Sequence, residues 1–141
     1  MINYLAVLLC GIAAIVIGFV WFGPLFGKTW MQSAFGGAPD SATMAEGKKK
    51  MPMNAFIQFV LALAMAFVLA RAIAVAGATE GIAGIPAGIH FAFWNWLGFV
   101  VPSTVGLVLW EGKPWKYWII IAGSWLVTML AMGLILGALP A

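Results

Sequence analysis

Apolar and polar positions alternate along this chain on the scale of whole segments rather than of single residues. Four apolar runs, Asn3 to Phe22, Asn54 to Ala76, Gly84 to Trp110 and Tyr117 to Ala138, are separated by one sizeable polar stretch and two short ones. Each run holds about 20 residues or more, which at about 1.5 Å of rise per residue spans a hydrocarbon core roughly 30 Å thick. The pattern predicts an all-α integral membrane protein: a four-transmembrane-helix bundle forming a single domain over residues 1–141. The polar stretch, residues 29–53, carries helix breakers at Gly36, Gly37 and Pro39. After them, Thr43 and Glu46 sit at capping-box spacing, and Glu46 and Lys50 are i,i+4 partners. A short interfacial helix over about 43–50 is expected within this loop.

Small residues recur at spacings that place them on one face of each predicted helix. Gly11, Ala14 and Gly18 do so in the first, and Ala62, Ala66, Ala70, Ala74 and Ala78 in the second. Gly84, Gly88 and Ala92 continue as Asn95 in the third, and Gly133 and Gly137 mark the fourth. Helices in lipid gain no hydrophobic drive to associate, so close approach along such stripes is expected to build the bundle, with Asn95 hydrogen-bonding a neighbouring helix. The alternative use of Gly133 and Gly137 is contact with a second copy of the chain. Pro102 lies inside the third run and predicts a kink, with Ser103 and Thr104 available to the freed backbone groups.

Composition closes off other classes. With 65% hydrophobic and 8% charged residues and a mean hydropathy of +1.08, the chain cannot clothe itself in polar surface. The formal charge of +3 rests largely on Lys48, Lys49 and Lys50, which read as a topology signal and not as a nucleic-acid contact. Those lysines, with Lys28, occupy the first loop, and Lys113 and Lys116 the third. The positive-inside rule makes that side cytoplasmic and places both termini outside the cytoplasm of a cell inner (plasma) membrane. The first run lacks a basic n-region and small cleavage-site residues, so it is expected to stay as a helix and not to be a signal peptide. Gly-Lys-x-Trp follows the first run as Gly27, Lys28, Trp30 and the third as Gly112, Lys113, Trp115, an echo that suggests either two related helix pairs or convergent interface chemistry.

Candidate chemistry is sparse. Cys10 is the lone cysteine and there is one histidine, so no metal cluster, no disulfide and no catalytic constellation is expected. The polar groups inside the apolar runs are the candidates for ligand binding: His90 with Trp94 one turn on, and Arg71 near the outer end of the second run. His90 has an interfacial reading and a functional one, and beside Trp94 it also admits axial ligation of a haem or chlorin; no other cofactor is expected. Arg71 either snorkels to headgroups, with Glu80 as partner, or binds an anionic group. Lys28, Trp30, Glu111, Lys113 and Trp115 form interfacial turns.

The stretch Asn3-Tyr4-Leu5-Ala6-Val7 followed by Gly18-Phe19-Val20-Trp21-Phe22-Gly23-Pro24-Leu25-Phe26-Gly27-Lys28-Thr29-Trp30 resembles the opening of bacterial proteins of the domain of unknown function 1761 family. Trp96-Leu97-Gly98-Phe99, Pro102 and Glu111-Gly112-Lys113-Pro114-Trp115 resemble its second half. The resemblance implies a small four-helix bacterial membrane protein and supplies no substrate or catalytic residues. The leading functional expectation is a non-enzymatic module, a homo-oligomer, that binds or passes a small or amphipathic molecule. The alternative is an accessory or assembly subunit bound to partner membrane subunits, and a membrane enzyme acting on lipid or quinone ranks third.

Overall fold

The computed structural model covers residues 1–141 and is entirely helical. Helix α1, Tyr4–Val20, runs into a widened turn over Trp21–Leu25. A short helix α2, Gly27–Phe35, is followed by α3, Ser41–Glu80. The third span comprises α4, Gly84–Asn95, a second widened turn over Trp96–Val100, and two single turns, α5 over Val101–Thr104 and α6 over Gly106–Leu109. Helix α7, Trp115–Ala138, completes the bundle. Four stretches are long and apolar enough to cross a membrane: Tyr4–Leu25, Ser41–Glu80, Gly84–Leu109 and Trp115–Ala138.

Each boundary has a local cause. The Asn3 side chain accepts from the amides of Leu5 and Ala6 and so caps α1. Gly36 and Gly81, at φ +74° and +68°, end α2 and α3 in the left-handed conformation that a glycine adopts without a Cβ penalty. At the start of α3 the cap is Asp40, which accepts from the Thr43 amide at 2.8 Å, in place of the expected Thr43–Glu46 box. From that cap the helix is unbroken for 40 residues, about 60 Å. The expected 43–50 helix therefore forms as the first turns of α3 and not as a separate element. Pro52 lies within it without ending it. A separate short helix occurs earlier, as α2.

The spans form a ring in the order α1, α3, α4, α7, with α7 the most enclosed. The α4–α7 pair is the tightest. A Cβ on Gly88 would run into the carbonyl of Gly133, one on Gly133 into that of Gly88, and one on Gly137 would lie 2.5 Å from the Gly84 oxygen. Gly133 and Gly137 are buried in this contact, where α4 fills the place that the alternative gave to a second copy. Gly11 of α1 likewise abuts Leu63 and Phe59 of α3, whereas Gly18 faces open space. Ala62 and Ala66 of the alanine ladder are buried, while Ala74 and Ala78 emerge from the bundle. Small side chains, with Met129, Met132, Phe91, Leu69 and Leu136, make the interior.

Candidate functional site: grooves on the face that carries the termini

Two faces differ in chemistry. On one, Lys113 donates from Nζ to the Ala34 carbonyl at the end of α2, 3.5 Å away, and lies 5.5 Å from the Tyr117 ring centroid. This contact joins the two lysine-bearing loops on a single face. On the opposite face, Asn3 donates to the carbonyls of Leu139 and Pro140, which brings the chain's beginning and end together beside the α3–α4 turn.

The lysine-bearing half of the bundle is organised by tryptophan. In the first widened turn the Phe26 amide bonds back five residues to Trp21, and in the second Val101 bonds back to Trp96. Such π turns absorb a proline: Pro24 and Pro102 lack the N–H that would continue the regular ladder, and their rings crowd the carbonyl four residues back. A widened turn thus lies one turn upstream of Pro102, where a kink was expected, with Ser103 and Thr104 donating to carbonyls of that turn. Trp21 and Trp96, each opening a π turn, donate their indole N–H groups to α7 at Ile120 (3.0 Å) and Ala122 (2.8 Å). Gly123 leaves room for the Trp21 ring. Trp118 adds a bond to Thr104 Oγ1 at 3.0 Å. Trp21 and Trp96 are therefore structural counterparts. The Gly-Lys-x-Trp echo does not mark equivalent positions: Gly27 is a buried helical residue, while Gly112 sits at φ +70° in a turn. Trp30 packs edge-on against Phe22 and Phe35 with its buried indole N–H unpaired. Lys28 and Glu111 are exposed, and Trp115, also exposed, stands edge-on to Trp118.

His90 and Trp94 are neighbours on the outer surface of α4, their ring centroids 6.3 Å apart, with His90 also edge-on to Phe91. Both side chains are exposed, and none of the three principal grooves reaches them. Asn95 does not bond a neighbouring helix as expected: its Nδ2 donates back to the Phe91 carbonyl of its own helix at 2.7 Å. The amide is thereby satisfied locally, an option open to any short polar side chain in a helix. No three His, Cys, Asp or Glu side chains converge anywhere.

The concave surface lies instead along α1. Between α1 and α3 a groove of about 660 Å³ is lined mainly by apolar residues, with Arg71 and Thr79 its polar groups on α3. Between α1 and α7 a second groove, about 580 Å³, is lined by ten apolar residues that include Leu9, Val16 and Ile135. A cavity of about 110 Å³ beneath Met1, Ile2 and Asn3 lies between them, sharing Met1, Ile2 and Ala74 with the first groove and Leu139 with the second. Arg71 makes no ion pair; the single one in the molecule is Lys50 with Glu46 at 4.0 Å. Glu80, nine residues on, is about 180° around the helix from Arg71, so the expected pairing is geometrically disfavoured. Sequence reading singled out Arg71 but not its companions Tyr4, Phe67 and Thr79, which become neighbours only through the α1–α3 packing.

These features define a compact four-span helical membrane bundle with lateral grooves flanking α1. The chain belongs to the family described as Protein of unknown function (DUF1761), whose profile matches residues 5–137. No curated protein and no solved structure matches it.

Proposed function

We propose that this protein is a non-enzymatic module of a bacterial inner membrane that binds an amphipathic molecule in the groove between α1 and α3. The observation that carries this reading is the Arg71 groove itself. Its 660 Å³ falls within the range of small-molecule sites, its walls are largely apolar, and one unpaired guanidinium lies partway along it. Tyr4 and Val75 at its edge are exposed, so a molecule dissolved in the bilayer reaches it sideways. His90 and Trp94, on a different face, are not part of this site. In the proposed orientation the lysine face is cytoplasmic and the groove opens to the outer leaflet.

A photoactivatable alkyl-diazirine amphiphile in nanodiscs tests the reading. Adducts concentrate on α3 between Phe67 and Thr79 and on the start of α1, and Val75→Trp, which fills the groove, reduces them severalfold. Adducts spread evenly over all four spans overturn it. A second reading, an accessory subunit of a larger membrane complex, is favoured by the outward display of Phe93, Trp94 and Phe99 on the third span. Retention of one stoichiometric partner through gentle solubilisation, lost on Trp94→Ala, supports that reading.

A further inference from the structure

Charge, depth and polarity vary along the Arg71 groove in one direction. Arg71 is the sole Lys, Arg, Asp or Glu residue in α3 between Asn54 and Thr79, and the apolar parts of the other three spans contain none. Its depth follows from the cavity next to the groove. Asn3, Gly84, Gly137 and Leu139, which mark the start of α1, the start of α4 and the end of α7, line that cavity together with Ala70 and Ala74. Three spans thus begin or end level with Ala70–Ala74, and Arg71 lies at the inner edge of that level. A guanidinium there reaches the headgroup region with its stem along apolar surface. Phe67 lies one helical turn deeper on the same face of α3, and Thr79 two turns further out. The groove is therefore apolar at its inner end, cationic in the middle and hydroxylated at its outer end. A bilayer lipid presents this same sequence of acyl chain, phosphate and polar headgroup.

We infer that the occupant of this groove is an anionic phospholipid of the leaflet on the side of the termini, its phosphate on the Arg71 guanidinium and one acyl chain running inward past Phe67. The inference rests on the amphiphile reading above and adds the chemical class of the ligand. Charge complementarity selects it: Arg71 gives the groove a side-chain cation, no acidic side chain lines it, and the planar guanidinium fork suits phosphate oxygens.

The test uses the full chain in mild detergent, with its thermal midpoint titrated by phosphatidylglycerol and by phosphatidylcholine of identical acyl chains. The wild type is half-stabilised at an about fivefold lower concentration of phosphatidylglycerol, the preference that one interfacial cation provides. Arg71→Gln abolishes the difference, and Arg71→Lys keeps part of it, because an ammonium retains the charge without the fork. Both variants fold, since the side chain is exposed. Equal response of the wild type to the two lipids overturns the anionic assignment while leaving amphiphile binding intact. No response to either lipid, or a response untouched by Val75→Trp, overturns the amphiphile reading itself. Competition by millimolar inorganic phosphate marks a soluble-anion site and overturns the lipid assignment.

Discussion

A methyl group on Gly88 would meet the backbone of Gly133, and backbone cannot swing aside as a side-chain tip can. Gly88→Ala is accordingly expected to destabilise the bundle by about 1–3 kcal/mol, the usual cost of overpacking a close contact. Gly18→Ala, facing open space, should stay within about 0.5 kcal/mol of wild type. Thermal unfolding in one detergent compares the two, and equal effects would mean that α4 and α7 do not approach as described. Asn95 belongs to the same scale. Because it bonds its own helix, Asn95→Leu removes no interhelical hydrogen bond and is expected to shift stability by less than about 0.5 kcal/mol. A larger loss would return Asn95 to the helix-helix role that its place in the small-residue stripe first suggested.

At the scale of the element, the π turns tie proline chemistry to packing. A straight α1 or third span would have to accommodate Pro24 and Pro102 in a regular ladder, and the widened turn relieves that clash and begins at the tryptophan that latches onto α7. Trp21→Phe and Trp96→Phe retain most of the ring but lose the indole N–H, and each should cost about 0.5–2 kcal/mol, the span measured for hydrogen bonds inside membranes. The double variant reports whether the two latches act independently, and additive losses are expected because they use different carbonyls. Helix α3 gives a pH-dependent case. The hydrogen bonds from the side chain and then the backbone of Thr43 lower the Asp40 pKa from its ordinary value. A depressed carboxylate pKa means that the cap contributes at neutral pH and is lost as pH falls through that lowered value. Amide exchange at Thr43, corrected for the intrinsic pH dependence of exchange, should accelerate on acidification below the ordinary carboxylate range, and Asp40→Ala should show the fast exchange already at pH 7. A flat profile in the native protein would remove Asp40 as the cap. The four apolar spans were legible in sequence because hydrocarbon thickness fixes their length, and the Gly84–Gly88 and Gly133–Gly137 stripes because close approach needs small residues at spacing four. The π turns were legible only as a kink at Pro102. Neither proline spacing nor hydropathy says that Trp21 and Trp96 will find carbonyls two residues apart on α7, since that pairing is tertiary.

For the whole molecule, the arrangement of faces follows from contacts that do not depend on which side is cytoplasmic. Asn3 bonds the backbone of Leu139 and Pro140, so residues near the two ends of the chain share one face, and Lys113 on Ala34 places both lysine-bearing loops on the other. The groove around Arg71 lay beyond sequence reading for a related reason: Tyr4 and Arg71 are distant in the chain and meet only when α1 packs against α3. The faces are assigned to compartments by the proposed orientation, in which Lys48, Lys49 and Lys50, four to six residues before the apolar part of α3 begins at Asn54, meet anionic headgroups on the cytoplasmic side. Single cysteines introduced at Ala42 and at Ala138 probe both statements at once, because the native Cys10 is buried and adds little background. In intact cells a membrane-impermeant thiol reagent should label the cysteine at 138 and spare that at 42, and permeabilisation should expose the second. Labelling at 42 with protection at 138 would invert the orientation and move the Arg71 groove to the inner leaflet, where anionic phospholipid would have to be drawn from the cytoplasmic side. Labelling of both sites without permeabilisation would contradict the two-faced arrangement itself, since no inversion places 42 and 138 on one side of a four-span bundle whose ends meet at Asn3 and Leu139.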